Sequence, residues 1–148
     1  MHIRGEVMVA APIEVTWAAL ADIASHVDWM ADAESITFTT ESHRGIGTAF
    51  ECRTKVGPLT TLDKMTVTDW VEGSRMAVAH TGIVRGLGVF ELASPTPTST
   101  QFSWTEDLRF PLYLGSVVGA FVAKPVLRRI WRSNLSRFAG LVERRYRS

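Results

Sequence analysis

The chain has 148 residues, of which 46% are hydrophobic and 21% are charged; these proportions are near the averages of globular proteins and exclude a disordered chain. Its length fits one domain, residues 1–148, with a full hydrophobic core. The net charge of +1 gives no general reason to expect nucleic acid as a partner. The single cysteine excludes an intrachain disulfide and agrees with a reducing compartment, so we expect a cytoplasmic protein.

The placement of charge argues against insertion into a membrane. The first residues carry charges where a secretory signal would have its apolar region, so we expect no such signal. The longest uncharged stretch covers 110–123, and its fourteen residues are fewer than the roughly 20 that a helix needs to cross a bilayer. We therefore expect no transmembrane segment.

The first elements in chain order are a strand and two short helices. Residues 2–9 alternate between the two faces expected of a half-buried strand. Pro12 and Glu14 favour the start of a helix, because the proline nitrogen needs no intrahelical partner there and the glutamate complements the positive helix end. A second, shorter helical turn is predicted at 25–30, with Trp29 and Met30 as its apolar anchors.

Residues 34–111 show the alternation of six further strands joined by short turns. Glycine and proline, as in Gly57-Pro58, mark the breaks between them. Alternation is clearest near the end, where every second residue from Phe102 to Phe110 shares one face. The further strands are predicted at 35–40, 47–56, 59–71, around 76–80, 84–93 and 100–110. Seven strands in hairpin succession predict one strongly bent antiparallel sheet.

The C-terminal segment changes to helical periodicity. Beyond Pro111, apolar side chains recur three or four residues apart, and the stretch from Lys124 to Ser148 contains eight basic residues but only one acidic residue. Pro125 lacks a backbone donor and clashes with the preceding turn, so we expect it to kink the helix or divide it into a short and a longer part. The break at 115–125 is where we expect a ligand to pass into the protein.

Several short stretches resemble one superfamily along the whole chain. They are Ala11-Pro12-Ile13-Glu14-Val15 with Trp17 and Leu20-Ala21-Asp22, then Trp29, Gly45-Ile46-Gly47, Val67-Thr68-Asp69-Trp70, Arg75-Met76 and Lys124-Pro125-Val126-Leu127-Arg128-Arg129. These stretches look like the polyketide cyclase/dehydrase (SRPBCC) and START-like superfamily. The resemblance implies an α+β helix-grip fold, in which a seven-stranded bent antiparallel sheet wraps around a long C-terminal helix and leaves a hydrophobic cavity between them, with two short helices between strands 1 and 2. Members include lipid and sterol carriers, coenzyme Q-binding proteins, plant hormone receptors and aromatic cyclases, and fold alone does not choose among these functions.

The inward faces of the strands and the helix are the expected walls of that cavity. Aromatic and aliphatic side chains provide the apolar contact area that a ring system or an acyl chain requires. We expect the walls to include Phe50, Met76, Val78, Phe90, Phe102, Trp104 and Leu108 from the sheet, and Phe121, Leu135 and Phe138 from the helix. We expect Trp17 and Trp29 to fix the first helices instead.

Two polar residues on inward faces are the candidate catalytic groups. Glu106 lies mid-strand, where a carboxylate must be paired or hydrogen-bonded, and it is a candidate general acid or base. The alternative is a structural carboxylate at the cavity mouth, or one satisfied by an arginine such as Arg53. His80 is a candidate to polarise a ligand carbonyl or to exchange a proton, the alternative being a hydrogen-bonded histidine at a strand end. Asp69 is a third polar candidate, although its position near a turn favours exposure to solvent.

Other kinds of site are not indicated. The four histidines lack the close spacing of a zinc site, so we expect no metal. Gly86-Leu87-Gly88 lacks the strand-and-helix context of a dinucleotide loop and is interpreted as a bulge or as a close approach of the helix to the sheet. Cys52 has no neighbouring histidine and is expected to pack as a small hydrophobic residue. No GxSxG nucleophile elbow is present, and we expect no cofactor.

The arginines of the C-terminal helix allow two interpretations. They either keep the outer face of an amphipathic helix in water or, through Arg128, Arg129 and Arg132, make transient contact with an anionic membrane. Nucleic acid is not expected, because no recognition motif accompanies the basic residues. The sequence leaves the oligomeric state open.

Three functional hypotheses follow. The first is a carrier or sensor that binds a small hydrophobic or amphipathic ligand, such as a lipid, isoprenoid or polyketide-like molecule, in an internal cavity. The second is a cofactor-free cyclase or dehydratase in which Glu106 or His80 moves protons. The third is a protein-interaction adaptor, which would have a small or filled cavity. At least two polar residues around a deep pocket would favour the enzyme, and an apolar cavity with one polar contact would favour the carrier.

Overall fold

The computed structural model describes the backbone of residues 1–110 and 116–148, and the side chains of these residues except 59 and 116–123. The elements in chain order are β1 (His2–Val9), α1 (Ile13–Ala21), a 3-10 helix (Ile23–Asp28), β2 (Ala33–Phe38), β3 (Ala49–Val56), β4 (Leu59–Val71), β5 (Arg75–Thr81), β6 (Arg85–Thr96), β7 (Ser99–Arg109) and α2 (Ser116–Arg147). The prediction of an α+β fold with seven strands, two short helices after the first strand and a long C-terminal helix is confirmed.

The strands form one antiparallel sheet in the order β1-β7-β6-β5-β4-β3-β2. Strands β2 to β7 each pair with their neighbours in sequence, whereas β1 pairs with β7 and places His2 opposite Asp107. Burial alternates along β7, so that Phe102, Trp104 and Glu106 lie on the inner face. This inner face is the surface on which the site is built.

Helix α2 packs chiefly against β1. The contact is close at Gly5, where an added methyl group would lie 2.6 Å from Cδ1 of Leu135. The missing side chain at Gly5 therefore lets the helix approach the sheet at this point. Leu135, which the sequence places on the cavity wall, is instead buried between α2 and β1.

An aromatic cluster around Trp29 fills the core. The ring centroid of Trp29 lies 5.0 Å from that of Phe138 and 6.3 Å from that of Phe102. Phe102 and Phe138 pack edge to face at 4.8 Å, and both are fully buried. The expectation that these two residues face the cavity is therefore wrong: Trp29 packs against both, and Phe138 of α2 covers Phe102. Trp29 joins the first helices to the sheet and to α2.

Pro125 lies within α2, which runs without a break from Ser116 to Arg147. The prediction that proline divides this segment into two helices is therefore wrong. Packing of the apolar face, with Leu127, Trp131 and Val142 all buried, outweighs the lost backbone hydrogen bond. Phe121 and most of the 115–125 access region lie outside the residues whose side chains are described. None of the described helices is long and apolar enough to cross a membrane.

Candidate functional site

A cavity of about 180 Å³ lies between the inner face of the sheet and α2. Its walls come mainly from β3 to β7, with Leu127 and Trp131 from the helix. Six of the side chains that the sequence assigned to the cavity lie along this wall: Phe50, Met76, Val78, Phe90, Trp104 and Leu108. Phe102, Leu135 and Phe138 are not among the lining residues, because they belong to the core described above. The wall is mostly apolar, with a small set of polar side chains.

His80 and Glu106 meet in this cavity. Nε2 of His80 lies 3.1 Å from Oε2 of Glu106, and the indole N–H of Trp104 donates to Oε1 of the same carboxylate at 3.1 Å. Glu106 is 5% exposed. Its partners are thus a histidine and a tryptophan, whereas Arg53, the partner expected as an alternative, is exposed on the other face of β3. The two candidate catalytic groups form one hydrogen-bonded pair.

The charge of Glu106 sets the protonation of His80. Burial by itself lowers the pKa of His80, but the hydrogen bond and negative charge of Glu106, together with the charge of Asp63, outweigh it and raise that pKa above its ordinary value of 6.5. Because a carboxylate accepts hydrogen bonds and does not donate them, Nε2 is the donor and a neutral ring carries its lone pair on Nδ1. Nδ1 is buried and has no hydrogen-bond partner within the described part of the chain, so its lone pair is unused. A ligand reaches this nitrogen only if neighbouring side chains move, because the atom has almost no exposed surface.

A second polar group lines the cavity on β3 and β4. Asp63 is 6% exposed and accepts hydrogen bonds from the hydroxyls of Thr54 at 2.6 Å and Thr61 at 3.4 Å. Cys52 lies opposite Asp63 in the strand register, and burial raises the pKa of its thiol to about 11. The thiol is therefore protonated at neutral pH, as expected for a residue that packs. Sequence analysis missed Asp63, although its position two residues before Met65 puts it on the inward face.

Asp32 adds another carboxyl group to the cavity wall. Burial raises the pKa of Asp32, and a hydrogen bond from the side-chain amide of Asn134 partly opposes that rise. Asp32 lies in the turn before β2, where strand alternation gives no signal, so the sequence offered no reason to select it. Together with His80, Glu106 and Asp63, Asp32 gives the cavity wall more polar groups than the single polar contact expected of a carrier.

Asp69, the third polar candidate, does not join the site. The register of β4 shifts between Val67 and Asp69, which is the mark of a β-bulge. Its carboxylate accepts a hydrogen bond from Nε of Arg75 at 2.7 Å, and its side chain is 43% exposed. Asp69 is thus a surface residue, as its position near a turn favoured.

Gly86 and Gly88 face β7 and not the helix. A methyl group on Gly88 would lie 2.6 Å from Oε1 of Glu106, and one on Gly86 would lie 1.8 Å from the carbonyl oxygen of Asp107. The interpretation of these glycines as a close approach of the helix to the sheet is therefore wrong. The approach is made by the carboxylate of Glu106 and by the backbone of β7.

The hydrogen-bonded pair of His80 and Glu106 is an arrangement of side chains that is suited to proton transfer. In a neutral His80 ring Nδ1 is the basic atom, and a carboxylate beside the ring stabilises the imidazolium that forms on protonation. A protonated ring of this kind can act as an acid toward a leaving hydroxyl group. Within the described part of the chain, no three His, Cys, Asp or Glu side chains are grouped so that they could hold a metal ion.

Solved structures with the same fold were found for most of this chain's length. The aromatase/cyclase Zhui from Streptomyces sp. R1128 has 22% sequence identity and a TM-score of 0.80, with 98% of this chain and 94% of that chain covered. A START superfamily protein from Mycobacterium smegmatis has 14% identity and a TM-score of 0.72, with 99% and 97% covered. Identities this low show a shared fold and not a shared activity. No curated protein sequence matches this chain significantly.

A family model identifies the sequence more directly than these structures do. The model for "Polyketide cyclase / dehydrase and lipid transport" matches residues 1–143, which is nearly the whole chain. The helix-grip architecture and the cavity between sheet and helix agree with that match. The chain therefore belongs to the polyketide cyclase/dehydrase and lipid transport family.

Proposed function

We propose that this protein binds a small, mainly apolar molecule bearing a carbonyl or hydroxyl group and that it catalyses a cofactor-free cyclisation or dehydration of that molecule. The observation that carries the proposal is the buried hydrogen-bonded pair of His80 and Glu106 on a mostly apolar cavity wall. A wall with several polar side chains meets the condition that favours the enzyme over the carrier. The adaptor hypothesis expected a small or filled cavity; this cavity is small, but it is open and lined by buried polar side chains, which favours ligand binding.

The proposed reaction uses the pair as a single acid–base unit. In the proposed cycle, movement of neighbouring side chains exposes the buried Nδ1 of His80, which removes a proton from a carbon flanked by carbonyl groups. The resulting enolate attacks a further carbonyl of the same molecule to form a carbon–carbon bond. The protonated ring gives its proton to the alkoxide formed in this attack, which becomes a hydroxyl group. In a second round the ring removes the remaining proton from the same carbon and transfers it to that hydroxyl group, which leaves as water while a carbon–carbon double bond forms, so the histidine ends as it began. General acid–base catalysis of this kind contributes typically about 10²–10⁴-fold to a rate.

The size of the cavity favours a compact substrate. Its volume of about 180 Å³ is below the roughly 300–1,000 Å³ of pockets that enclose drug-sized molecules. Aromatic walls at Phe50, Phe90 and Trp104 suit a flat ring system. The Streptomyces protein of the same fold is named as an aromatase/cyclase, and cyclisation is the class of reaction proposed here.

Carriage of an unaltered ligand is the second candidate function. It is favoured by the predominance of apolar side chains on the cavity wall and by the words "lipid transport" in the description of the family. Binding is common to both candidates, so only a chemical readout separates them.

Proton exchange at the α-carbon of a β-keto thioester gives that readout. We expect the wild-type protein to accelerate the exchange of these protons in D₂O, followed by ¹H NMR, and we expect His80→Gln and Glu106→Gln to lose most of the acceleration. Asp69→Asn is the matched control, because it alters a carboxylate that is exposed and outside the cavity. If the thioester binds and its protons exchange no faster than in buffer, the enzymatic proposal fails. Native mass spectrometry that recovers an unaltered copurifying ligand would then establish the carrier.

Two properties of the surroundings complete the proposal. The exposed basic face of α2, defined here by Arg128, Arg129 and Arg132, supports transient contact with an anionic membrane, where each such residue contributes about 1 kcal/mol. Within the described part of the chain, none of these three arginines forms an ion pair. A cytoplasmic location is supported by the single, unpaired cysteine.

A further inference from the structure

We infer that Gly88 is a positioning residue for the His80–Glu106 pair: the absence of a side chain on β6 at this point opens a slot across the strand through which the histidine and the carboxylate meet. The geometric part of this inference stands on the structure alone. Its catalytic consequence rests on the proposed function.

The two partners are on strands that are not neighbours. His80 belongs to β5 and Glu106 to β7, and β6 runs between them. Neighbouring strands lie about 4.8 Å apart, so the two backbones are separated by roughly twice that distance. The side chains must therefore reach toward each other over β6. Any inward side chain on β6 at that level would stand between them.

The register of the sheet puts glycine at that level. Gly86 pairs with His80 on one side, and Gly88 pairs with Glu106 on the other. The next inward position of β6 shows the contrast, because Phe90 occupies it and lies between its partners Met76 and Trp104. The ring of Phe90 packs against that of Trp104 with 5.2 Å between centroids. The same strand thus carries a bulky side chain in the row of Trp104 and only glycine in the two adjacent rows, which hold His80 and Glu106.

The carboxylate of Glu106 occupies the space that a side chain at Gly88 would take. A methyl group there would lie 2.6 Å from Oε1 and 2.9 Å from both Cδ and Oε2. These separations are shorter than carbon–oxygen contacts allow, so a side chain at 88 must displace the carboxylate. Gly86 is different, since an added methyl group would clash with the backbone of β7 at Asp107. Substitution of Gly86 would disturb the sheet itself, and Gly88 is therefore the informative position.

Displacement of the carboxylate has an effect on His80 that can be measured. Glu106 raises the pKa of His80 against the effect of burial. In Gly88→Ala we expect that pKa to fall, in the same direction as in Glu106→Gln. His26, which lines the same cavity, provides an internal control, because its pKa is set by burial, by the hydrogen bond to Leu20 and by the charge of Asp22 and not by Glu106.

The experiment combines Gly88→Ala and Glu106→Ala in a double-mutant cycle. The pKa of His80 is followed by NMR titration of the ring carbon signals, assigned with His80→Gln, and α-proton exchange of the β-keto thioester is measured in parallel. We expect Gly88→Ala alone to lower the pKa of His80 and to slow exchange by on the order of 100-fold. In the Glu106→Ala background the added methyl group meets no carboxylate, so we expect it to change neither quantity.

Each outcome decides between the inference and its alternatives. If Gly88→Ala leaves the pKa of His80 unchanged, or if it has the same effect with and without Glu106, the positioning role is overturned. If Gly88→Ala fails to fold, the double variant is the test: folding of the double variant supports the inference, and its failure shows that Gly88 serves the sheet alone. If Gly88→Ala lowers the pKa of His80 but the wild type does not accelerate exchange, the positioning role of Gly88 stands and only the proposed reaction is refuted. If the wild type accelerates exchange but the pKa of His80 is unchanged in Gly88→Ala, the proposed reaction stands and the positioning role of Gly88 is refuted.

Discussion

Asn134 on α2 holds Asp32, which precedes β2, through a hydrogen bond of 2.9 Å from its side-chain amide to the carboxylate. The side-chain oxygen Oδ1 of the same Asn134 accepts a hydrogen bond from the backbone N–H of Ala31 at 3.0 Å. Asn134 is fully buried. Asn134 therefore provides hydrogen-bond partners for two groups of the turn before β2. It connects α2 to the edge of the cavity on the side of β2.

Replacement of Asn134 by leucine is expected to destabilise the protein more at pH 7 than at pH 4. Burial raises the pKa of Asp32, and the amide of Asn134 opposes that rise, so its loss further favours protonated Asp32. The stability that Asp32 contributes is present at low pH and is lost as the pH rises through its folded pKa. An unpaired buried group typically costs about 1–3 kcal/mol. Urea denaturation at both pH values measures the difference, with Asp32→Asn as the control that removes the charge. Equal losses at the two pH values would contradict this account.

Protonation of His26 is expected to weaken the fold in acid. His26 is 4% exposed, its Nε2–H donates to the Leu20 carbonyl at 2.7 Å, and burial lowers its pKa to about 4 from an ordinary value of 6.5. The unfolded chain then binds the proton more readily, so stability is lost as the pH falls from about 6.5 to about 4, by an amount on the order of 3 kcal/mol. His80 acts in the opposite direction, since its pKa is raised.

The comparison for His26 is therefore made in a background of His80→Gln, so that the two effects do not cancel. The free energy of unfolding is measured between pH 4 and pH 7, with and without His26→Gln. We expect the acid-dependent loss to be present in the first protein and smaller in the second. An identical slope in both would assign the acid sensitivity to other groups.

The thiol of Cys52 is expected to react slowly with disulfide reagents while the protein is folded. It is buried on the cavity wall, and its pKa of about 11 leaves almost no thiolate at pH 8. Release of thionitrobenzoate from Ellman's reagent should therefore be much slower than in urea-unfolded protein. A bound apolar probe should slow it further, because the probe occupies the same cavity. Rapid reaction of the native protein would show that the cavity opens readily.

Phe102 and Phe50 are expected to separate stability from ligand binding. Phe102 is fully buried in the core, whereas Phe50 lines the cavity. Phe102→Ala should lower stability by about 3–5 kcal/mol and leave the affinity for the apolar fluorophore N-phenyl-1-naphthylamine nearly unchanged. Phe50→Ala should weaken probe binding with a smaller loss of stability, because it enlarges a space that is already open. The reverse pattern would place the binding site in the core cluster.

Charge reversal at Arg128, Arg129 and Arg132 is expected to reduce binding to vesicles that contain phosphatidylserine. Vesicles of pure phosphatidylcholine should bind neither protein, and salt should weaken the interaction because it screens exposed charges. The control reverses Arg144, Arg145 and Arg147 at the far end of α2, which leaves the net charge of the two variants equal. Equal binding by both variants in a flotation assay would indicate a nonspecific effect of charge.

Local patterns were sufficient for the elements of the fold but not for the depth of each side chain. Alternation along β7 correctly put Phe102, Trp104 and Leu108 on one face. It could not show that Trp29 and α2 cover Phe102 while Trp104 remains on the cavity wall, because that depends on where the helix crosses the sheet. The predicted division of the helix at Pro125 was wrong for a related reason, since the packing of a helix outweighs the preference of one residue.

The sequence was sufficient to select the two residues of the candidate site, but it did not predict that they form a hydrogen bond with each other. His80 and Glu106 each stood out as a polar residue on an inward face. Their contact depends on the order of three strands and on the register that sets Gly86 and Gly88 between them. The role of the glycines could not be seen until both neighbours of β6 were known.

The pairing of β1 with β7 has a consequence for the order of events during synthesis. His2 pairs with Asp107, more than one hundred residues later in the chain. Contacts between such distant segments slow folding, because a long loop must close before any contact forms. On the ribosome, β1 has no strand to pair with until β7 has been made. We therefore expect the nascent chain to expose an unpaired strand for most of its synthesis and to be most prone to aggregation in that interval.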